Sequence, residues 1–83
     1  MKEKDTQLFK IKNTIIEHTD ECFDVSFDSD SGGNHFTLYL VDGSIDTKKL
    51  RQEISDRGIR RRIVIVLSDE KFIKSRHDLK YGD

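Results

Sequence analysis

The sequence predicts a small α+β domain whose elements follow one another in the order α-β-β-α-β-α. The chain has 83 residues, its apolar residues recur in blocks of helical or alternating spacing, and turn-forming residues separate the blocks. A chain of this length forms one domain with a thin core. We therefore expect a single domain over residues 1–83, frayed at residues 1–5, with a three-stranded sheet made of a hairpin and a crossover strand, and helices packed on it.

The first half of the chain predicts a helix and a hairpin. Within residues 7–18, apolar side chains recur at helical spacing, with two more widening the stripe: Leu8, Ile11 and Ile15, then Phe9 and Ile16. Apolar and polar residues then alternate, which indicates a strand with one face on the core. The residues on that face are Phe23, Val25 and Phe27. Residues 29–34 are turn formers, Ser-Asp-Ser-Gly-Gly-Asn, so the return strand is expected at residues 35–41.

The second half predicts a helix, a strand and a last helix. Asp46 is a suitable N-cap for a helix over Thr47–Arg57, and Gly58 stands where a left-handed residue ends a helix. The β-branched run Ile63–Leu67 is typical of a strand covered on both faces, central or parallel. Ser68, Asp69 and Glu70 then cap a helix that carries Phe72, Ile73, Arg76 and Leu79, with Gly82 near its end.

Two strand orders are compatible with this pattern. A helical crossover between the second and third strands makes them parallel. If these strands are neighbours, the sheet is mixed. If the first strand lies between them, the sheet is a split β-α-β with antiparallel pairing throughout.

Composition limits the class of protein. One cysteine, Cys22, cannot form an internal disulfide, which favours a reducing, cytoplasmic location. No apolar stretch follows the charged residues at the start of the chain, and the longest apolar run is far shorter than the roughly 20 residues of a membrane span. We expect a cytoplasmic protein that does not act at a membrane.

Charge is strongly segregated along the chain, although the net charge is only −1. Residues 17–46 carry eight Asp and Glu and no Lys or Arg. Clustered charge of one sign accelerates encounter with an opposite charge. The first hypothesis is therefore a non-enzymatic protein-binding module, a small regulator or inhibitor, that docks through an acidic hairpin. Its expected contact residues are Asp24, Asp28, Asp30 and Tyr39.

The basic residues after the hairpin give the alternative hypothesis. Residues 47–62 carry seven Lys and Arg against two acids. Such a segment could bind the phosphates of a nucleic acid. The residues expected to do so are Lys48, Lys49, Arg60, Arg61 and Arg62. The pI of 6.3 and the placement of most Phe residues at core-like positions favour the protein partner.

Residue patterns for catalysis or metal binding are incomplete. Residues 28–33 resemble the start of a calcium loop, but Tyr39 stands where a bidentate Glu is required. Three soft ligands near one another in sequence, His18, Cys22 and His35, are too few for a closed zinc site. No Gly-rich phosphate loop or nucleophile elbow is present. We expect no enzyme activity, metal or cofactor. A homodimer through a free sheet edge is a further possibility.

Overall fold

The computed structural model describes the backbone of residues 3–41 and 43–81, and the side chains of residues 6–41 and 43–77. The predicted α+β order is confirmed. Its elements are α1 (Glu3–Ile16), β1 (Phe23–Asp30), β2 (Gly33–Leu40), α2 (Thr47–Asp56), β3 (Arg62–Leu67) and α3 (Glu70–Tyr81). The predictions for residues 1 and 2, for Asp42, for the Leu79 side chain and for Gly82 lie outside the described residues.

The sheet is mixed, with the strand order β1-β2-β3. β1 and β2 are antiparallel and pair from Phe23 with Leu40 to Asp30 with Gly33. The hairpin therefore turns within residues 31 and 32, and the turn is shorter than the predicted six-residue segment. Gly33 follows the turn with a φ of 106°, which favours glycine. β2 and β3 are parallel, in register from His35 with Arg62 to Leu40 with Leu67, which excludes the split β-α-β.

The two faces of the sheet are covered by different helices. On one face, β1 and β2 contribute Val25, Phe36, Leu38 and Leu40 to a core closed by α1 and α2. The two helices supply Ile11, Ile15, Leu50 and Ile54, and the segments on either side of α2 add Ile45 and Ile59. On the opposite face, α3 lies across β1 and β2, where its Ile73 is fully buried. β2 is therefore enclosed between two helical layers.

The ends of α2 follow from local residue chemistry, as predicted. Asp46 has extended backbone, and its Oδ1 accepts a hydrogen bond from the Lys49 N–H at 3.1 Å. At the other end, Gly58 adopts a φ of 94°, and its N–H donates to the Ser55 carbonyl at 2.9 Å. The next N–H, that of Ile59, donates to the Ile54 carbonyl at 3.4 Å. These two bonds form a Schellman motif that directs the chain into β3.

β3 differs from the prediction in its burial. It is parallel to its neighbour, as expected, but it lies at the edge of the sheet and is not covered on both faces. Ile63 and Ile65 are half-buried against the core, whereas Val66 and Leu67 are 37% and 60% exposed. The prediction was wrong because an apolar β-branched run also suits an edge strand whose outer side is left open.

α1 also buries fewer apolar residues than predicted. It begins at Glu3 and ends at Ile16, so the predicted helix over residues 7–18 starts too late and ends too late. Ile11 and Ile15 are fully buried, as their spacing indicates. Phe9 and Ile16, which were expected to widen the stripe, are instead exposed on the outer side of the helix, Phe9 to 65%.

Replacing Gly58 with alanine tests the cap of α2. The left-handed conformation costs a non-glycine residue about 1–2 kcal/mol, which exceeds the ~0.4–1 kcal/mol gained by stiffening the unfolded chain. We expect Gly58→Ala to lower the free energy of unfolding, measured by urea denaturation. Gly43→Ala is the matched control, because Gly43 lacks a positive φ and its added Cβ would meet only Leu67 Cδ1 at 3.8 Å. Equal free energies of unfolding for the two variants would contradict the role of Gly58 as the left-handed residue that ends α2.

Candidate functional site

Asp24, a predicted partner contact, is buried beneath α3. Its side chain is 3% exposed, and Arg76 Nε donates to its Oδ2 at 2.9 Å. The Arg76 guanidinium also lies over the Tyr39 ring, 4.0 Å from the centroid. His77 Nε2 lies 3.7 Å from Asp24 Oδ1. Asp24 and Tyr39 are register partners on the face that α3 covers, so the fold brings these two predicted residues together and gives them a shared cationic partner.

Asp28 lies farther along the same face and is held by hydroxyl groups. Ser26 Oγ and Thr37 Oγ1 each donate to its Oδ2 at 2.8 Å. Burial acts to raise the pKa of Asp28, but these two hydrogen bonds outweigh it and lower the pKa below the ordinary 3.8. The carboxylate is thus stabilised in its charged form by neighbours on β1 and β2.

Asp30 closes the hairpin end of the sheet. The Gly32 N–H donates to its Oδ1 at 2.7 Å, and Arg62 Nη2 donates to its Oδ2 at 2.8 Å. The hydrogen bond from Gly32 and the adjacent Arg62 lower the pKa of Asp30 below 3.8. Arg62 Nη2 also lies 3.3 Å from His35 Nδ1. Arg62 therefore links β3 to the hairpin across β2.

The segregated charges of the sequence meet within the fold. Besides the pairs at Asp24 and Asp30, Arg57 after α2 binds Glu17 after α1, with Nη2 and Oε2 2.5 Å apart. Three of the eight acidic residues in this segment, Glu17, Asp24 and Asp30, thus bind arginines from the second half of the chain. The predicted partner contacts at Asp24, Asp28, Asp30 and Tyr39 stay predictions, and each of these side chains already has an internal partner.

The predicted phosphate-binding residues form two separate groups. Lys48 and Lys49 lie in the first turn of α2, whereas Arg60, Arg61 and Arg62 follow its far end. The ten residues of α2 place about 15 Å between the groups. Two of the arginines have neighbours within the chain: Arg62 binds Asp30, and Arg61 lies over the Phe27 ring, 5.3 Å from its centroid.

The thiol of Cys22 lies in surroundings that disfavour its charged form. It lines a pocket with His77 and Asp24 at the start of β1. Burial, and then the Glu70 carboxylate, raise the pKa of the Cys22 thiol above its ordinary value, so the thiolate is disfavoured. His77 Nε2 lies 2.8 Å from the Phe23 carbonyl oxygen, to which it can donate a hydrogen bond.

The outer edge of β3 is the surface that sequence reasoning did not locate, although it allowed a homodimer through a free sheet edge. Among the described residues, no strand pairs with this edge. Exposed apolar side chains surround its carboxyl end: Val66, Leu67 and the 47% exposed Phe72 of α3. The Phe72 ring packs against Tyr39, with centroids 5.9 Å apart. One feature of the sequence could have indicated this edge. The run from Ile63 to Leu67 contains no charged residue or proline, which usually protect an edge strand from pairing with another chain.

The opposite edge of the sheet has a different chemistry. β1 alternates apolar residues with Asp24, Ser26, Asp28 and Asp30. Charged side chains along a strand are a common protection against edge-to-edge pairing. The acidic strand β1 thus ends the sheet on one side, while β3 leaves it open on the other. We define the candidate functional site as this open edge: the outer backbone of β3 with Val66, Leu67 and Phe72.

No protein-family model matches the chain, and neither a curated protein nor a solved structure matches it. Within the part of the chain that the structure describes, none of the helices combines the length and apolar character needed to cross a membrane. The geometry and chemistry of the surface are therefore the basis for assigning a function.

The hydroxyl bonds to Asp28 predict an acid-dependent contribution to stability. Because its folded pKa is lowered, Asp28 stabilises the fold above its ordinary pKa of 3.8, and this stabilisation is lost as the pH falls through the folded value. We expect Asp28→Asn to unfold about 1–3 kcal/mol more easily at pH 7. In urea titrations, the difference in free energy of unfolding between this variant and the parent should shrink toward pH 2. A difference that stays constant with pH would contradict the stabilising role of the Asp28 carboxylate. Asp20→Asn, at an exposed carboxylate, is the control.

The Arg76–Asp24 pair gives a second prediction. Removing the arginine leaves a buried carboxylate without its main cationic partner, which costs about 3–5 kcal/mol. We expect Arg76→Met to lower the free energy of unfolding by roughly that amount, and Asp24→Asn in the same chain to recover part of the loss. Lys74→Met is the matched control, because Lys74 forms an exposed pair with Glu70 at 3.2 Å. Equal effects of Arg76→Met and Lys74→Met would show that the buried pair contributes nothing.

Proposed function

We propose that this chain is a non-enzymatic protein-binding module that docks through the open edge of β3. The observation that carries this function is the outer side of the edge strand β3, with which no strand of the described residues pairs, together with three exposed apolar side chains around its carboxyl end, Val66, Leu67 and Phe72. An exposed strand edge offers a row of backbone donors and acceptors to an extended segment of another protein. Neighbouring apolar side chains then supply the area that leaves water on binding.

The apolar side chains lie on both sides of the edge. Val66 is the register partner of Tyr39 and shares the face on which Phe72 packs against that ring. Leu67 points to the opposite face, because side chains alternate along a strand, and its Cδ1 lies toward Gly43. An added strand would therefore contact apolar side chains on either face. This arrangement favours a partner that binds as an extended strand rather than one that presents a flat surface.

A nucleic-acid partner is less well supported. Lys48 and Lys49 lie at the other end of α2 from the three arginines. Arg62 is occupied by Asp30, and the Arg61 guanidinium lies over Phe27. A phosphate backbone would have to compete with these contacts, and the gain from each exposed charge is small in physiological salt.

A module of this size that acts by occupying a strand edge suits a regulator or inhibitor. Its only cysteine, Cys22, lies in surroundings that disfavour the thiolate. The same lone thiol favours a reducing cytoplasm as the place of action.

Site-specific photo-crosslinking in the native host tests this function. We expect a benzophenone amino acid in place of Leu67 to give a discrete protein adduct, because this side chain borders the open edge. The same probe in place of Phe9 is the matched control, because Phe9 is equally exposed and apolar but lies on the outer side of α1. Adduct yields are measured by immunoblotting, and the crosslinked peptides are identified by mass spectrometry.

A second substitution shows whether the adduct depends on strand pairing. Val64→Lys introduces a charge into β3 of the kind that blocks edge pairing in other sheets. It should reduce the adduct at position 67 by about tenfold or more while circular dichroism shows an intact fold. Equal yields at positions 67 and 9, or a yield at position 67 that Val64→Lys leaves unchanged, would contradict the docking surface.

A further inference from the structure

The six arginines of the chain fall into two equal groups. Three of them bind carboxylates within the fold: Arg57, Arg62 and Arg76. The other three have no carboxylate of the described residues within ion-pair distance, and they are Arg51, Arg60 and Arg61. All three line one pocket between α2 and the start of β3. Positive charges that the described part of the fold does not neutralise are therefore gathered at one place.

Local geometry brings the residues of this pocket together. Arg51 and Ser55 are four positions apart on α2, so they lie on the same face of the helix. The left-handed Gly58 then directs the chain into β3, and Arg60 and Arg61 return beside that face. Three isoleucines complete the lining: Ile54, Ile59 and Ile63. The pocket holds about 350 Å³, which lies near the lower limit of small-molecule sites, roughly 300–1,000 Å³.

Two of the three arginines are held by contacts that leave hydrogen-bond donors available. Arg51 Nη1 donates to the Ile63 carbonyl, which uses one of the five N–H groups of the guanidinium. The Arg61 guanidinium lies over the Phe27 ring, 5.3 Å from its centroid, and this contact engages the face of the group. Its N–H bonds lie in the guanidinium plane, so they stay open to an acceptor. Both side chains are thus positioned before an anion binds.

The number of arginines points to an anion with more than one charge. Within the fold, a single arginine binds each carboxylate, as in the Arg62–Asp30 and Arg76–Asp24 pairs. A carboxylate has two oxygens in one plane, which one guanidinium can satisfy. A phosphate monoester carries about 1.5–2 negative charges at pH 7 and has three strong acceptor oxygens. Three guanidinium groups and the Ser55 hydroxyl match these acceptors better than they match a carboxylate.

We propose that this pocket binds a small phosphate monoester, with the phosphate among Arg51, Arg60 and Arg61 and the organic group against the isoleucines. The site goes beyond the docking edge proposed above and does not depend on it. It also differs from the nucleic-acid surface expected from the sequence, because it needs neither the two lysines at the start of α2 nor Arg62. A nucleic-acid phosphate carries a single charge, whereas the pocket gathers three cations around one group.

NMR titration of the isotope-labelled chain with phenyl phosphate tests the site. We expect saturable shifts of the backbone amides of residues 55–63, with a dissociation constant of about 1 mM or tighter. Benzoate keeps the ring but replaces the phosphate with a carboxylate, and it should bind about tenfold more weakly. Inorganic phosphate lacks the ring and should bind several-fold more weakly, because no apolar group covers the isoleucines. Ionic strength is held constant so that charge screening is the same in all titrations.

Two exposed cations at opposite ends of α2 provide matched variants. Arg60→Gln removes one guanidinium from the pocket, and Lys48→Gln removes the same charge at the far end of the helix. Arg60→Gln should weaken phenyl phosphate binding about tenfold or more, because a hydrogen-bonded charge is lost. Ser55→Ala should weaken it a few-fold, whereas Lys48→Gln should change it by less than about twofold. Circular dichroism checks that each variant keeps the fold.

Several outcomes would overturn the pocket. One is the absence of saturable shifts up to about 10 mM phenyl phosphate. Another is benzoate binding as tight as that of phenyl phosphate, which would remove the preference for a phosphate. Equal weakening by Arg60→Gln and Lys48→Gln would reveal only a general attraction to positive charge. An oligothymidylate that binds more tightly than phenyl phosphate, and that Lys48→Gln weakens, would assign the basic residues to a nucleic acid instead. Crosslinking at position 67 is independent of these results, so failure of the pocket leaves the docking edge standing.

Discussion

The burial of β2 on both faces is the constraint on which the rest of the structure depends. Phe36, Leu38 and Leu40 point to the core under α1 and α2, while Thr37 and Tyr39 lie on the face that α3 covers. A strand enclosed in this way must be central, which assigns β1 and β3 to the two edges of a three-stranded sheet. Both edge strands can in principle pair with another chain, and β3 carries no charged residue between Ile63 and Leu67 to prevent it.

Local features of the fold were readable from the sequence because their causes are local. The Asp46 cap and the left-handed Gly58 each act within a few residues, and both were identified with their roles. The hairpin was expected for the same reason, although its turn is tighter than predicted. Burial was less predictable. Phe9 and Leu67 occur in patterns that also fit a core, and only the placement of neighbouring elements leaves them exposed.

The candidate site was the least predictable part. Counting charges along the chain located acidic and basic segments correctly, but pairing between them is a long-range property. Arg76 and Asp24 are separated by 52 positions, and Arg62 and Asp30 by 32. No spacing rule links residues so far apart, so the sequence suggested an outward-facing acidic surface where the fold contains internal ion pairs. The open edge became visible only once the strand order was known.

The connection between β2 and β3 also has a consequence for how the chain reaches its native state. The hairpin closes through two residues, whereas Phe36 must find Ile63 across an intervening helix. Closing the longer segment has the greater entropic cost, and non-local pairing slows folding. We therefore expect β3 to join the sheet last. Until it does, its apolar run is exposed on nascent chains, and chaperone capture or aggregation competes with completion of the domain.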